Sequence, residues 1–316
     1  MDIYRATETF LREIPVVQSW PEIETCIQRV TAKKLPDWQL PLRACLAVGG
    51  TADQATPAVA AIACAQMSII LVDDMLDDDP RGEYQRIGMP SAANMAVALA
   101  AIGTEALTRN KQEMVRITAV NALNEMLSQT AWGQYLDVQN PSDEAAYWHL
   151  VRSKSSPFFR AALYVGALLG GASMFTAEQL AEFGGLYGEM IQIHDDLNDT
   201  LETPANPDWL QGRFPLPILF AHLVDHPDRE QFIALRRHIA NPKALAEAQR
   251  ILIRSGAVSY SIDQFLQRYH AAQELLSQIN LVNKDPVATL LEPLINPVKA
   301  LYAEVGLTNF DEAVDH

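Results

Sequence analysis

Between Ala58 and Val72 no side chain carries a charge, and in the next seven residues five do: Asp73, Asp74, Asp77, Asp78 and Asp79. An uncharged run of that length reads as a buried helix, and the aspartates fall at its polar end. Asp73 and Asp77 are four apart, so on a helix they share a face, with Asp74 beside them. Like charges at that spacing destabilise a helix unless a cation stands between them. Oxygen donors without His or Cys suit Mg²⁺, an ion that commonly holds substrate phosphates. The spacing recurs at Asp195, Asp196 and Asp199 in QIHDDLND, again after an apolar helical stretch. One such cluster would be read as a solvated acidic helix end. Two of them point to paired carboxylates holding metal and a diphosphate.

The rest of the chain reads as helix. Ala, Leu, Met, Glu and Gln dominate, and alternating β-branched runs are scarce. The fold expected is an all-α bundle with a cavity between the two aspartate-bearing helices, residues 1–316 forming one domain. Expected helices include one or two in Met1–Thr31, then Leu42–Val48, Pro57–Leu71, Ser91–Thr108, Gln112–Val138 and one beginning at Ser142. Lys154–Leu169 follows, and Thr176 is expected to cap the helix that runs through Asp199. Asp78–Pro90 and the proline-rich Thr200–Pro217 read as loops, and Pro286–Val305 as the last helix.

Composition narrows the function. With 316 residues, 49% of them hydrophobic and 20% charged, the chain has ample material for a core. A net charge of −15 without a basic tail argues against nucleic acid or an anionic membrane as partner. MDIYRATETF is too polar for a signal peptide, and no stretch reads as a convincing membrane span. Cys26, Cys45 and Cys64 have no metal spacing and read as reduced thiols, so a cytoplasmic location is expected.

Six short segments in order give a resemblance. They are Asp73–Asp77, Arg86-Ile87-Gly88-Met89-Pro90-Ser91, Gly133-Gln134-Tyr135-Leu136-Asp137, Lys154-Ser155, Ile191–Asp199 and Gly212-Arg213-Phe214-Pro215-Leu216-Pro217. The sequence resembles the trans-isoprenyl diphosphate synthase (polyprenyl synthetase) family of class I isoprenoid synthases. The resemblance implies a homodimer and a cavity that ionises an allylic prenyl diphosphate. In it Asp73, Asp74, Asp77, Asp195, Asp196 and Asp199 would bind Mg²⁺, three ions by family likeness, and act in catalysis. Lys154, Arg86 and Arg213 would contact the diphosphate, with Lys154 also catalytic. Gln192 would orient an aspartate or the diphosphate, and His194 would be a neighbour rather than a ligand. Ile69 and Ser68, four and five positions before the first aspartate, would set pocket depth. Neither is a bulky aromatic, so geranylgeranyl diphosphate or a longer substrate is expected. Phe158, Phe159, Tyr164 and Tyr187 could face the carbocation, although core packing is the default for helical aromatics.

The likeness fails at one place. Chain-elongating members hold isopentenyl diphosphate with an N-terminal Lys-Arg-x-Arg segment, a His and a second Arg after the first motif. Here those positions fall on Asp37–Arg43, keeping at most Arg43, on Gln66 and on Ile87. Trp, Leu and Ile cannot pair a diphosphate's charge. The first reading is therefore a terpene synthase, which cyclises its single substrate. Prenyl chain elongation is the alternative, and a non-catalytic regulatory subunit the third reading.

Overall fold

The computed structural model describes residues 2–140 and 142–304, with side chains through Ala300. These residues form helices joined by short turns, and no strand occurs among them.

The first aspartate helix, Ala52–Leu76, starts five residues earlier than expected. Thr51 caps it: its hydroxyl accepts from the Gln54 amide, while the Gln54 side chain reaches back to the Thr51 N–H. Pro57 sits in the second turn, where it removes only the bond to the Asp53 carbonyl. From Ala58 to Ala65 every side chain is inaccessible to solvent, so this helix is buried on all sides. Its neighbours can come close because the residues are small. A Cβ on Gly103 of the helix Met89–Thr108 would lie 2.9 Å from the Ala61 carbonyl oxygen. By length and hydropathy the first aspartate helix could span a membrane, contrary to expectation, but 72% of its most apolar window is covered by the rest of the bundle.

The second aspartate helix is Met174–Leu201, capped by Ser173 rather than Thr176. It packs on Ser156–Leu169 and on Ala257–Gln278. Lys154 does not open a helix as expected. It ends Glu144–Lys154, and a new helix begins at Ser156 with Pro157 in its first turn. The backbone at this break presses on Gly133 of the helix Glu113–Val138, where a Cβ would lie 2.3 Å from the Lys154 nitrogen.

Other boundaries also move. The N-terminal segment makes three helices, Ile3–Arg12, Pro15–Ser19 and Pro21–Lys33. The two expected loops each contain a helical turn, Glu83–Ile87 and Pro207–Gln211. The last expected helix divides into Asp285–Ala288 and Glu292–Glu304, and its end at Val305 lies outside the described residues. Expected as one domain, the chain builds two apolar cores. The smaller gathers Trp209, Phe232, Ile251 and Leu252, and Phe214 packs against both.

Candidate metal–diphosphate site

The two aspartate helices bring Asp73, Asp77, Asp195 and Asp199 onto one cavity of about 310 Å³. Two cations stand among these carboxylates. Lys154 Nζ lies 2.6 Å from Asp137 Oδ2 and 3.2 Å from Asp73 Oδ1. Arg213 donates through Nη2 to Asp77 and through Nη1 to Asp137 Oδ2 at 3.0 Å, with Asp208 at 3.8 Å. Asp137 thus bridges both cations. Burial opposes the charge on Lys154, but the carboxylates of Asp137 and Asp73 outweigh it and hold the ammonium above the ordinary lysine range. Arg213 follows the same logic with Asp137 and Asp77. Gln134 adds a hydrogen bond to Asp73 Oδ1 at 3.2 Å.

The two motifs differ in what their aspartates do. Asp195 is exposed, with its carboxylate 3.6 Å from His194 Nδ1. Asp196, expected as a metal ligand, is buried, and both of its oxygens are engaged. Oδ2 accepts from the Tyr147 hydroxyl and from the Leu216 N–H, each at 2.7 Å, and Oδ1 accepts from Gln192 Nε2 at 2.8 Å. Burial pushes its pKa up to about 7, against these three hydrogen bonds. Its place is that of a brace between helices. Gln192 is held in turn by Ser155, whose hydroxyl donates to Oε1 at 2.6 Å, so this amide orients an aspartate.

Not every expected residue reaches the cavity. Asp74 lies off its wall; burial and the charge of Asp79 raise its pKa. Arg86 ion-pairs with Glu83, which also holds Arg29 at 2.7 Å, and lines a separate cleft with Trp20 and Ile87. Ser68 is buried and donates to the Ala96 carbonyl at 2.8 Å, facing a neighbouring helix rather than a channel. Ile69, one turn before Asp73, is half-buried against the main core. Sequence reasoning gave no role to Asp137, Tyr147 or Asp208. Asp137 had a signal, as the acid of the Gly-Gln-x-x-Asp segment; Tyr147 and Asp208 had none.

Among the described residues no three acidic, His or Cys side chains converge at metal-binding distance, since the two cations stand between the aspartates. The donor set nevertheless fits a hard divalent ion. Carboxylates line both sides of the cavity, and no His or Cys is among them. Asp73, Asp77, Asp195 and Asp199 are the carboxylates on the cavity that would hold such an ion.

The positions matched to the family's isopentenyl diphosphate contacts, Asp37–Arg43 and Gln66, bond to one another and to the C-terminal helices. Trp38 is fully buried, and its Nε1 donates to Gln66 Oε1 at 2.8 Å, while Gln66 Nε2 donates to Asp37 Oδ2 at 2.7 Å. Arg43 turns away, donating to Thr289 Oγ1 at 2.7 Å and to the Pro286 carbonyl. Burial raises the pKa of Asp37; the Gln66 hydrogen bond opposes this, and the charge of Asp195 adds to it.

The sequence profile of the polyprenyl synthetase family matches residues 39–252. The chain belongs to this family. It is 30% identical over 247 residues to the short chain isoprenyl diphosphate synthase of Methanothermobacter thermautotrophicus, covering 73% of this chain and 75% of that protein. To the geranylgeranyl diphosphate synthase of Methanosarcina mazei it is 30% identical over 191 residues, 55% of this chain and 59% of that one. Among solved structures, the decaprenyl diphosphate synthase of Rhodobacter capsulatus superposes with a TM-score of 0.78 at 19% identity, covering 92% of this chain and 94% of that one. The all-α fold expected for the family is the fold observed.

Proposed function

We propose that this polyprenyl synthetase family member ionises an allylic prenyl diphosphate and closes the carbocation onto its own double bonds, as a Mg²⁺-dependent terpene synthase. What carries the first half is the cavity where Asp73, Asp77, Asp195 and Asp199 surround Lys154 and Arg213. Lys154 and Arg213 would bind the diphosphate oxygens and stabilise charge as the carbon–oxygen bond breaks. Bound Mg²⁺ would supply the remaining counter-charge to the departing group. Phe159 and Tyr187, in edge-to-face contact at 5.3 Å, are buried in the main core, and a cation held there would be kept from water.

What carries the second half is the Asp37–Gln66–Trp38 network. It puts a carboxylate and a buried indole where an elongating enzyme needs cations. A second diphosphate there would meet like charge without a paired donor.

A second reading, elongation with isopentenyl diphosphate, has its own support. The relatives are named for prenyl diphosphate synthesis, and those names back elongation better than cyclisation. Incubation with one allylic diphosphate, with and without isopentenyl diphosphate, separates the two. Hydrocarbon or alcohol from the single substrate supports cyclisation; a longer prenyl diphosphate formed only with both overturns it. EDTA should abolish turnover in either case and Mg²⁺ restore it. Geranylgeranyl diphosphate or a longer substrate was expected from Ser68 and Ile69, but Ser68 bonds to the Ala96 carbonyl instead of lining the cavity. Comparing kcat/KM across geranyl, farnesyl and geranylgeranyl diphosphates therefore decides the length separately from the cyclisation reading.

A further inference from the structure

The loop that carries Arg213 into the cavity is held from three sides. Asn140 Nδ2 donates to the Gly212 carbonyl at 3.1 Å, and Asp196 accepts from the Leu216 N–H. The third hold comes from the smaller core. Arg236, in the last turn of the helix Arg229–Arg236, donates through Nη2 to the Arg213 carbonyl at 2.8 Å. Its guanidinium carbon lies 4.3 Å from the ring centre of Phe214, and Phe214 itself lines the diphosphate cavity.

This cation is unusual in its surroundings. Among the described residues no carboxylate lies within ion-pair distance of it, and its buried Nε has no hydrogen-bond partner. A carbonyl and an aromatic face are what it has in place of an acid. His222 also packs edge-on against Phe214 at 5.0 Å, with its pKa lowered by burial and by the charges of Arg236 and Arg229. Arg229 donates to the His222 carbonyl at 2.8 Å and is paired with Glu230, so Arg236 carries the unbalanced charge beside Phe214. Burial lowers the guanidinium pKa to about 10, which leaves it charged near neutrality. Leaving a half-buried cation without an acid costs stability unless something anionic comes near.

We propose that Arg236 is a positioning residue for diphosphate recognition. It fixes the Arg213 loop through its carbonyl, and its unpaired charge behind Phe214 adds to the attraction for an anion in the cavity. The inference rests on the diphosphate reading of the site but not on the fate of the carbocation. A charge screened only by one ring and a protein interior acts at longer range than one in water.

The test uses the full chain and inorganic pyrophosphate with Mg²⁺, titrated by calorimetry. Arg236→Met, which keeps the stem against Phe214, should weaken binding about tenfold, the scale of one charge-assisted contact. Arg236→Lys should recover most of that affinity. With an allylic diphosphate the Met variant should raise KM by a similar factor and leave kcat nearly unchanged, whereas a purely structural role would lower the unfolding midpoint without this split. Should the Met variant fail to fold, Arg236→Gln decides, since it keeps a donor for the Arg213 carbonyl but loses the charge. A folded neutral variant that binds pyrophosphate as tightly as the unaltered chain overturns the role of Arg236 alone. No pyrophosphate binding by the unaltered chain overturns the diphosphate reading, and this role with it.

Discussion

The two aspartate motifs have the same spacing and opposite fates. In the first, Asp73 and Asp77 face the cavity and are paired with Lys154 and Arg213, while Asp74 lies off its wall. In the second, all three line the cavity, but Asp195 has only His194 at 3.6 Å and Asp199 a hydrogen bond with Asn206, while Asp196 is locked by a tyrosine hydroxyl, a backbone N–H and an amide. Identical spacing therefore does not set the job of a carboxylate. The neighbours that folding brings do. The first motif meets cations across the cavity, and the second uses its middle residue to hold the helix Leu216–Leu223 against the second aspartate helix.

The largest expected effect breaks this contrast most directly. Asp73→Asn should cut turnover about 10²–10³-fold, the scale of removing one preorganised electrostatic partner, with the unfolding midpoint nearly unchanged. Full activity in that variant would sink the assignment of the first motif. Asp196→Ala should behave in the reverse order. Stability should fall by about 3 kcal/mol, because the Tyr147 hydroxyl and the Leu216 N–H lose their buried acceptor. Calorimetric unfolding reads this directly, and an unshifted midpoint would make Asp196 a ligand like its neighbours. Gly133→Ala sharpens the comparison from the cation's side. Its methyl would collide with the Lys154 backbone, so a loss of about 1–3 kcal/mol is expected together with reduced turnover, since Lys154 must shift. Wild-type kcat in a folded Gly133→Ala chain would mean that the placement of Lys154 is not critical. The smallest effect is Ser68→Ala, about 1 kcal/mol from the lost bond to Ala96 and no change in substrate length. A changed length preference would return Ser68 to the pocket wall.

What the residues revealed in advance follows physical lines. Helical periodicity and the order of the short segments were enough for the bundle and for two aspartate clusters on one cavity. They were not enough for the ion pairs of Lys154 and Arg213 with Asp73, Asp77 and Asp137, which were expected only as diphosphate contacts and join residues far apart in the chain. The role of Asp196 could not be read that way. It depends on Tyr147, forty-nine positions away, and although the helix carrying Tyr147 was expected, its packing against the second aspartate helix was not. Arg86 failed for a similar reason, since Glu83 three residues earlier on the same helical turn takes its charge. Ser68 was placed by counting back from Asp73, but the count gives a face of the helix without saying which neighbour covers that face. The early start of the first aspartate helix was visible as Thr51 and Gln54, a capping box hidden by the proline that follows.

Asp137 has a consequence for how a ligand enters. Its carboxylate occupies Lys154 and Arg213 together, much as an oxygen of the proposed diphosphate would. If the site takes the proposed diphosphate, binding would be a substitution: an arriving anion would displace Asp137 and the motif aspartates from these cations, and the released carboxylates would need a new counter-charge at once. A divalent ion meets that need, so metal and diphosphate should each raise the affinity for the other by the same factor. Either one offered alone would have to separate standing ion pairs with little in return, which makes the site a detector of the two together.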